Sequence, residues 1–280
     1  MNYSTLTTDY HMHSTFSPDG DHTPEMMCRH ALDLDLTEIA LTEHAEWHPA
    51  SQIHGFPHIE TYFEAIDHCR AKFEPLGLTV HAGVELGNPH MFSDQALALL
   101  AEYPFDVVIS SLHWLNGKNI HEAVCFADRQ PDEVYAAYFK ELAQMAMNFD
   151  FDIIAHFDRI LWRGTLLGHT FDPFRLEPTI REALSTVARY GRALELNTAF
   201  LTHQPGWLTA LTTMFQWFRE EGGRLVVVNS DAHRITEIGR HRMLAEQVLL
   251  EAGFSLPDQL FHIEPDVSEL LPVNPSFDWS

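Results

Sequence analysis

Asp9-Tyr10-His11-Met12-His13-Ser14-Thr15-Phe16-Ser17-Pro18-Asp19-Gly20 ends a short run of alternating apolar residues and sets two histidines two positions apart. Residues i and i+2 of a strand share a face, so His11 and His13 aim their rings at one spot. Ser17-Pro18-Asp19-Gly20 has turn chemistry that folds Asp19 back over that spot. Two imidazoles and a carboxylate converging at a strand end make a metal hypothesis. Alone, a His-x-His pair also fits surface decoration, so its meaning rests on whether the chain repeats the arrangement.

The chain does repeat it. Residues 37–41 read as a short apolar strand ending in Thr42-Glu43-His44, and residues 78–85 as a buried strand ending at Glu85. Residues 105–113 and 151–156 are strands closed by His113 and His156. Residues 193–197 end at Asn197, and residues 224–231 end at Asp231, followed by Ala232-His233. Helical patterns separate them, over 24–34, 59–73, 93–102, 131–149, 176–190, 207–221 and 237–251. The first opens on Thr23-Pro24, a cap followed by proline at the first helical position. Residues 46–56, with Trp47, His48 and His54, have no clean period and read as a loop, a lid or pocket wall. The proline-punctuated tail from Phe254 onward is expected to wrap the outside.

Strands and helices alternate about seven times without an interdomain linker, so residues 1–280 are expected to form one domain. Near-continuous apolar strands between amphipathic helices imply a parallel sheet covered by helices. An open doubly wound sheet is the alternative. No Gly-x-Gly-x-x-Gly or Gly-x-x-x-x-Gly-Lys follows a strand, and a closed or nearly closed β/α barrel fits better. In such barrels the C-terminal strand ends form one face on which side chains converge. A single strand-end histidine is more often a hydrogen-bonded rim residue. Here six of seven strand ends carry His, Glu or Asp, which coincidence does not explain.

Composition narrows the partners. Nineteen histidines are many for this length, and the formal net charge is -23. That excess of acid argues against nucleic acid and anionic membranes, both of which need a basic face. Cys28, Cys69 and Cys125 are far apart and suggest neither a disulfide framework nor a zinc finger. No basic and apolar leader opens the chain, and no apolar run approaches about 18 residues. A cytoplasmic protein is the expectation.

At this point the chain resembles a known family, the polymerase and histidinol phosphatase (PHP) superfamily. The motifs are His11-Met12-His13-Ser14 with Ser17-Pro18-Asp19-Gly20, Leu41-Thr42-Glu43-His44, Gly83-Val84-Glu85, Ser111-Leu112-His113, Ala155-His156-Phe157-Asp158 and Ser230-Asp231-Ala232-His233. The resemblance implies an α/β fold, a distorted TIM-like (β/α)7 barrel with a metal site at the C-terminal strand ends. It implies two or three divalent ions: one held by His11, His13, Glu85 and Asp231, one by Glu85, His113 and His156, and one by Asp19, His44 and His233. Some relatives have histidine in place of Asp19. Zinc, manganese and iron all suit such mixed nitrogen and oxygen donors. By length and the 155–159 stretch, single-domain histidinol-phosphate phosphatases of the histidine biosynthesis route look most similar.

Charge supports a phosphatase independently of the family. Three carboxylates facing three divalent ions leave the barrel mouth positive by about three. The expected reaction is hydrolysis of a small phosphomonoester, with L-histidinol phosphate the leading substrate. A hydroxide bridging two ions would attack phosphorus in line, without a phosphoenzyme. Glu85 and Asp231 carry the chemistry in this reading. Arg159 is the candidate phosphate clamp, or else a surface ion pair. Asn197, His203 and Arg234 are further substrate candidates, with structural roles as the alternative. Trp47, Trp114 and Trp162 sit just past strand ends as pocket walls, at least two of them in ordinary packing. Of the remaining histidines, His90 and His169 are expected nearest the substrate, and His121 is expected to be structural. A nucleotide or cyclic-phosphate phosphodiesterase and a non-catalytic metal-binding module are the competing readings.

Overall fold

The computed structural model describes residues 6–127, 129–201 and 206–263. In chain order it begins β1 (Thr8–Asp9), α1 (Pro24–Asp33), β2 (Glu38–Ala45), α2 (Ile59–Phe73), β3 (Thr79–Gly87), α3 (Ser93–Glu102) and β4 (Val107–Ser111). A hairpin of β5 (Trp114–Leu115) and β6 (Lys118–Asn119) leads to α4 (Pro131–Asn148), β7 (Ile153–Ile154), α5 (Arg159–Leu166) and α6 (Glu177–Arg189). β8 (Ala193–Asn197), α7 (Trp207–Glu220), β9 (Val226–Asn229) and α8 (Arg242–Glu251) complete it. Local chemistry starts two of the helices. The Thr23 hydroxyl accepts from the Met26 amide ahead of Pro24, and Gln130 with Glu133 forms a reciprocal cap around Pro131.

The seven sheet strands are all parallel and lie in sequence order, β1-β2-β3-β4-β7-β8-β9. The sheet curls into a nearly closed barrel. Between β1 and β9 no ladder forms, and side chains span the gap instead. The Tyr10 amide donates to Asn229 Oδ1 at 2.8 Å and the Ser230 amide to Asp9 Oδ1 at 2.9 Å. Beyond them the His13 amide reaches the Ala232 carbonyl at 2.8 Å. Burial raises Asp9 to about 6, its amide partners holding it lower than burial alone would.

Strand alternation determines what faces inward. Ala40, Val107, Ile109, Ile153, Ala155, Ala193 and Val227 fill the interior around Tyr10. Counting on by twos, the same face carries His44, Ser111, Glu195, Asn197 and Asn229 at the C-terminal end. In register with His44, Glu85 sits on the neighbouring strand. The opposite faces of the strands pack against the helices in two larger apolar clusters.

Two expectations change. The segment from Phe254 to residue 263 does not wrap the outside. Phe254 enters the core beside α7, Leu260 bridges Val226, and Phe261 and Ile263 close the floor of the barrel, with Phe261 edge-on to Tyr10. Residues 264–280 lie outside the described residues. Helix α5 was not legible, being short and interrupted by Gly164. That glycine is required because the Tyr135 hydroxyl occupies the space a Cβ would need. The strands expected to run to His156 and Asp231 stop at Ile154 and Asn229. Both residues have left-handed backbone, at φ 23° and 50°, which costs about 1–3 kcal/mol each.

Candidate metal centre

Nine residues singled out in the sequence meet at the C-terminal mouth of the barrel. His11 and His13 flank Met12, whose bridge to Ala232 keeps that stretch extended. Their Nε2 atoms lie 3.5 and 3.4 Å from Glu85 Oε2, and 3.6 and 3.4 Å from Asp231 Oδ1. Donors about 2.1 Å from one ion in tetrahedral geometry stand about 3.4 Å apart, so this spacing fits a single divalent ion. The other oxygen of Glu85, Oε1, lies 3.3 Å from His113 Nε2 and 3.0 Å from His156 Nε2. Glu85 thus faces two donor groups, one with each oxygen. A third group is formed by Asp19, whose Oδ2 lies 3.5 Å from His44 Nε2 and 3.2 Å from His233 Nε2.

The turn that delivers Asp19 forms as its residues dictate. The Ser17 amide donates to the Ser14 carbonyl and the Gly20 amide to that of Ser17. Gly20 lies so close to the Ser14 carbonyl that any Cβ would collide with it.

Whether the centre suits metal is decided by atoms left without partners. His11 Nε2, His13 Nε2 and Glu85 Oε2 are buried and make no hydrogen bond to the described residues, and His44 Nδ1 lies 2.8 Å from the same Glu85 oxygen. Orphaned buried polar atoms are costly, and His11, His13 and Glu85 aimed at one another form a cradle for a cation. The imidazole and carboxylate donors suit divalent metals.

Supporting residues fix the tautomers. Glu195 accepts from His11 Nδ1 at 2.7 Å, and also from the His156 amide and the side chain of Asn229. Glu46 accepts from His113 Nδ1. Gly87 makes room for that carboxylate, which lies where a Cβ would stand. Glu43 binds the Ser14 amide and the Ser14 and Ser17 hydroxyls. The Ser17 hydroxyl, its proton given to Glu43, accepts from His13 Nδ1. With a cation at the centre, each of these rings would carry its proton on Nδ1 and turn its Nε2 lone pair inward. Sequence reasoning missed Glu43, Glu46 and Glu195. Their one signal is a carboxylate inside, or just past, an otherwise apolar strand.

The electrostatics follow from this crowding. Burial pushes His13 down, helped by His44 and His233, to about 3. His113 goes the other way: burial lowers it, but Glu46 and Glu85 outweigh burial and raise it to about 9. Burial would raise Glu85 and Asp231, yet the surrounding histidines hold both well below the carboxylate range, with Arg159 also acting on Asp231.

The substrate candidates divide. Arg159 lines a cavity of about 420 Å³ above the centre. Its Nη1 donates to Asp231 Oδ2 at 3.0 Å and its Nη2 to His121 Nδ1 at 3.2 Å. Asn197 does not line the cavity: its amide nitrogen reaches Glu195 and Asp231, and its oxygen caps the next turn. Arg234 is 59 % exposed and paired with Asp21, away from the cavity. His203 lies outside the described residues. Trp114 lines the cavity and stacks on His48, whereas Trp47 and Trp162 pack against the core. His90 pairs with Glu141 and His169 packs on Phe126, so neither reaches the cavity, but His121 does.

Comparison with known proteins agrees with this architecture. The chain is 24% identical to the histidinol-phosphatase of Lactococcus lactis over 88% of its own length and 91% of the relative's. The fold matches a crystal structure of the histidinol phosphate phosphatase of that organism, complexed with zinc, L-histidinol and phosphate, with a TM-score of 0.80 at 22% identity. The match covers 89% of this chain and 94% of that one. A structure from Listeria monocytogenes matches with a TM-score of 0.71 at 21% identity, covering 85% and 99% of the two chains. Residues 9–199 match the PHP domain model, a span holding seven of the nine converging side chains, and the chain belongs to the PHP domain family.

Proposed function

We propose that this protein is a metal-dependent phosphomonoesterase that hydrolyses L-histidinol phosphate to L-histidinol and phosphate. The observation that carries the reading is Glu85, one oxygen facing His11, His13 and Asp231 and the other facing His113 and His156. A structural site is normally closed around one ion, whereas a shared carboxylate at the foot of an open cavity suits paired ions.

In this reading His11, His13, Glu85 and Asp231 hold one ion, Glu85 with His113 and His156 a second, and Asp19 with His44 and His233 a third. Zinc, manganese or iron would serve. Such ions supply an acidified water and positive charge against the phosphoryl oxygens. The chain's own groups do the rest. Glu195, Glu46 and Ser17 keep His11, His113 and His13 in the tautomer that turns Nε2 to the centre. Arg159 anchors Asp231 from the cavity side. Glu122, on the cavity rim, offers a carboxylate to a cationic leaving group such as the amine of histidinol. The relatives' names support the substrate, and three free buried cysteines support a reducing, cytoplasmic setting. Residues 1–280 act as one domain in this proposal. No helix among the described residues is long and apolar enough to cross a membrane.

A phosphate-release screen over phosphomonoesters and diesters, repeated with zinc, manganese and iron, tests the proposal. Turnover is expected to be fastest with L-histidinol phosphate. Release from diesters alone would favour the phosphodiesterase reading, and release from nothing would reduce the centre to a binding site.

A further inference from the structure

We propose that His121 is a phosphoryl-binding residue, presenting its Nε2–H to the cavity in a tautomer dictated by Arg159. Arg159 is a donor only and cannot lose its proton. Its Nη2 lies 3.2 Å from His121 Nδ1, so Nδ1 must accept and the ring proton must sit on Nε2. Arg159 itself is held from two further directions. Nη1 is bonded to Asp231 at 3.0 Å, and the guanidinium lies over the Phe200 ring at 4.9 Å. Its orienting power over His121 is therefore rigid.

The backbone fixes the imidazole too, since the His121 amide donates to Asn119 Oδ1 at 2.8 Å just past β6. Its ring stands edge-on to His113 with centroids 5.8 Å apart, beside the donor group shared by Glu85 and His156. His121 lines the cavity, and its hydrogen bonds to the described residues run through its amide and Nδ1. A neutral donor directed at an anion strengthens binding without adding a charge that would repel the ions beneath. The arrangement divides labour: Arg159 spends one donor on Asp231 and one on His121, which positions the imidazole, and His121 adds its own contact to the phosphoryl group.

The inference takes its ligand from the phosphatase reading, so the test uses inorganic phosphate and does not need turnover. Phosphate affinity is titrated directly on the zinc-loaded protein and on His121→Ala, His121→Asn and His121→Gln, with metal content measured alongside. An asparagine amide places its oxygen near the position of Nδ1, keeping the Arg159 bond but no cavity donor. A glutamine amide reaches the position of Nε2 and restores that donor. Affinity is expected to fall about tenfold in the Ala and Asn variants and to return within about threefold of wild type in Gln, at unchanged metal content. Equal affinity in all four proteins would overturn the inference, as would rescue by Asn and not Gln, or loss of metal in the variants. A wild type that binds phosphate as expected but releases none from any monoester would sink the phosphatase reading alone.

Discussion

The two halves of the candidate centre are built differently. His11, His13, Glu85, His113, His156 and Asp231 are all below a tenth exposed, and buried glutamates brace two of their four imidazoles directly and a third through Ser17. Across the mouth, Asp19 is 54 % exposed and His233 24 %, and among the described residues no buried carboxylate outside the cluster supports His44 or His233. Burial and bracing preorganise donors, and partners behind a ligand commonly change metal affinity by about 10–100-fold. The comparison teaches that a donor set can be complete in kind on both sides and still differ in permanence. If the proposed ions bind, the braced side would keep its own and the open side would exchange one.

The largest expected effect is on the carboxylate common to two donor groups. Glu85→Ala should lower phosphate release by about 10³-fold or more while leaving the circular dichroism spectrum unchanged. Activity within tenfold of wild type would show that the braced half is not the seat of chemistry. Next comes pH. His113 stands at about 9 in the fold against 6.5 when free, because Glu46 and Glu85 outweigh burial. Its pKa is raised, so the stability it contributes in chelator-stripped protein is complete below about pH 6.5 and is lost as pH climbs through about 9. The unfolding free energy from denaturant titration should fall across that window by on the order of 3 kcal/mol, and His113→Gln should remove the slope. A flat profile in stripped wild type would break the electrostatic account. Glu195→Gln, which sets an amide donor against His11 or the neighbouring amides, should weaken zinc binding about 10–100-fold in competition with a chromophoric chelator. The smallest effect is assigned to the open half. Asp19→Ala should cost the protein its most easily dialysed ion and slow turnover less than about tenfold. A loss as large as that of Glu85→Ala would erase the distinction between the halves.

The candidate ligands were legible because two periodicities coincide. An apolar strand announces itself in sequence, and its last inward residue is fixed by alternation, so His44, Glu85 and His113 could be placed without coordinates. The supports were harder to see for the same reason. Glu43 and Glu195 sit inside those strands, where one carboxylate among apolar residues reads as a flaw in the pattern and not as a bond to a distant histidine. Glu195 meets His11 only after most of the sheet has been laid down between them. His121 reads in sequence as a structural histidine, because nothing local says that the turn after β6 leans over the mouth. Asn197 and Arg234 have chemistry that suits a substrate, but the fold commits both to neighbours. Periodicity reveals which face a side chain takes, whereas long-range hydrogen bonds belong to the closed barrel.

That closure has a mechanical side. The cylinder is a ring with one unzipped joint, fastened between β1 and β9 by pegs such as Asp9 and Asn229 in place of a ladder. His11 and His13 stand on one lip of this joint and Asp231 on the other. Any ion gripped by all three would act as a rivet through the weakest line of the wall. Stripping it would loosen the hoop first at β1 and β9, where amide hydrogen exchange would register the slack before any helix let go.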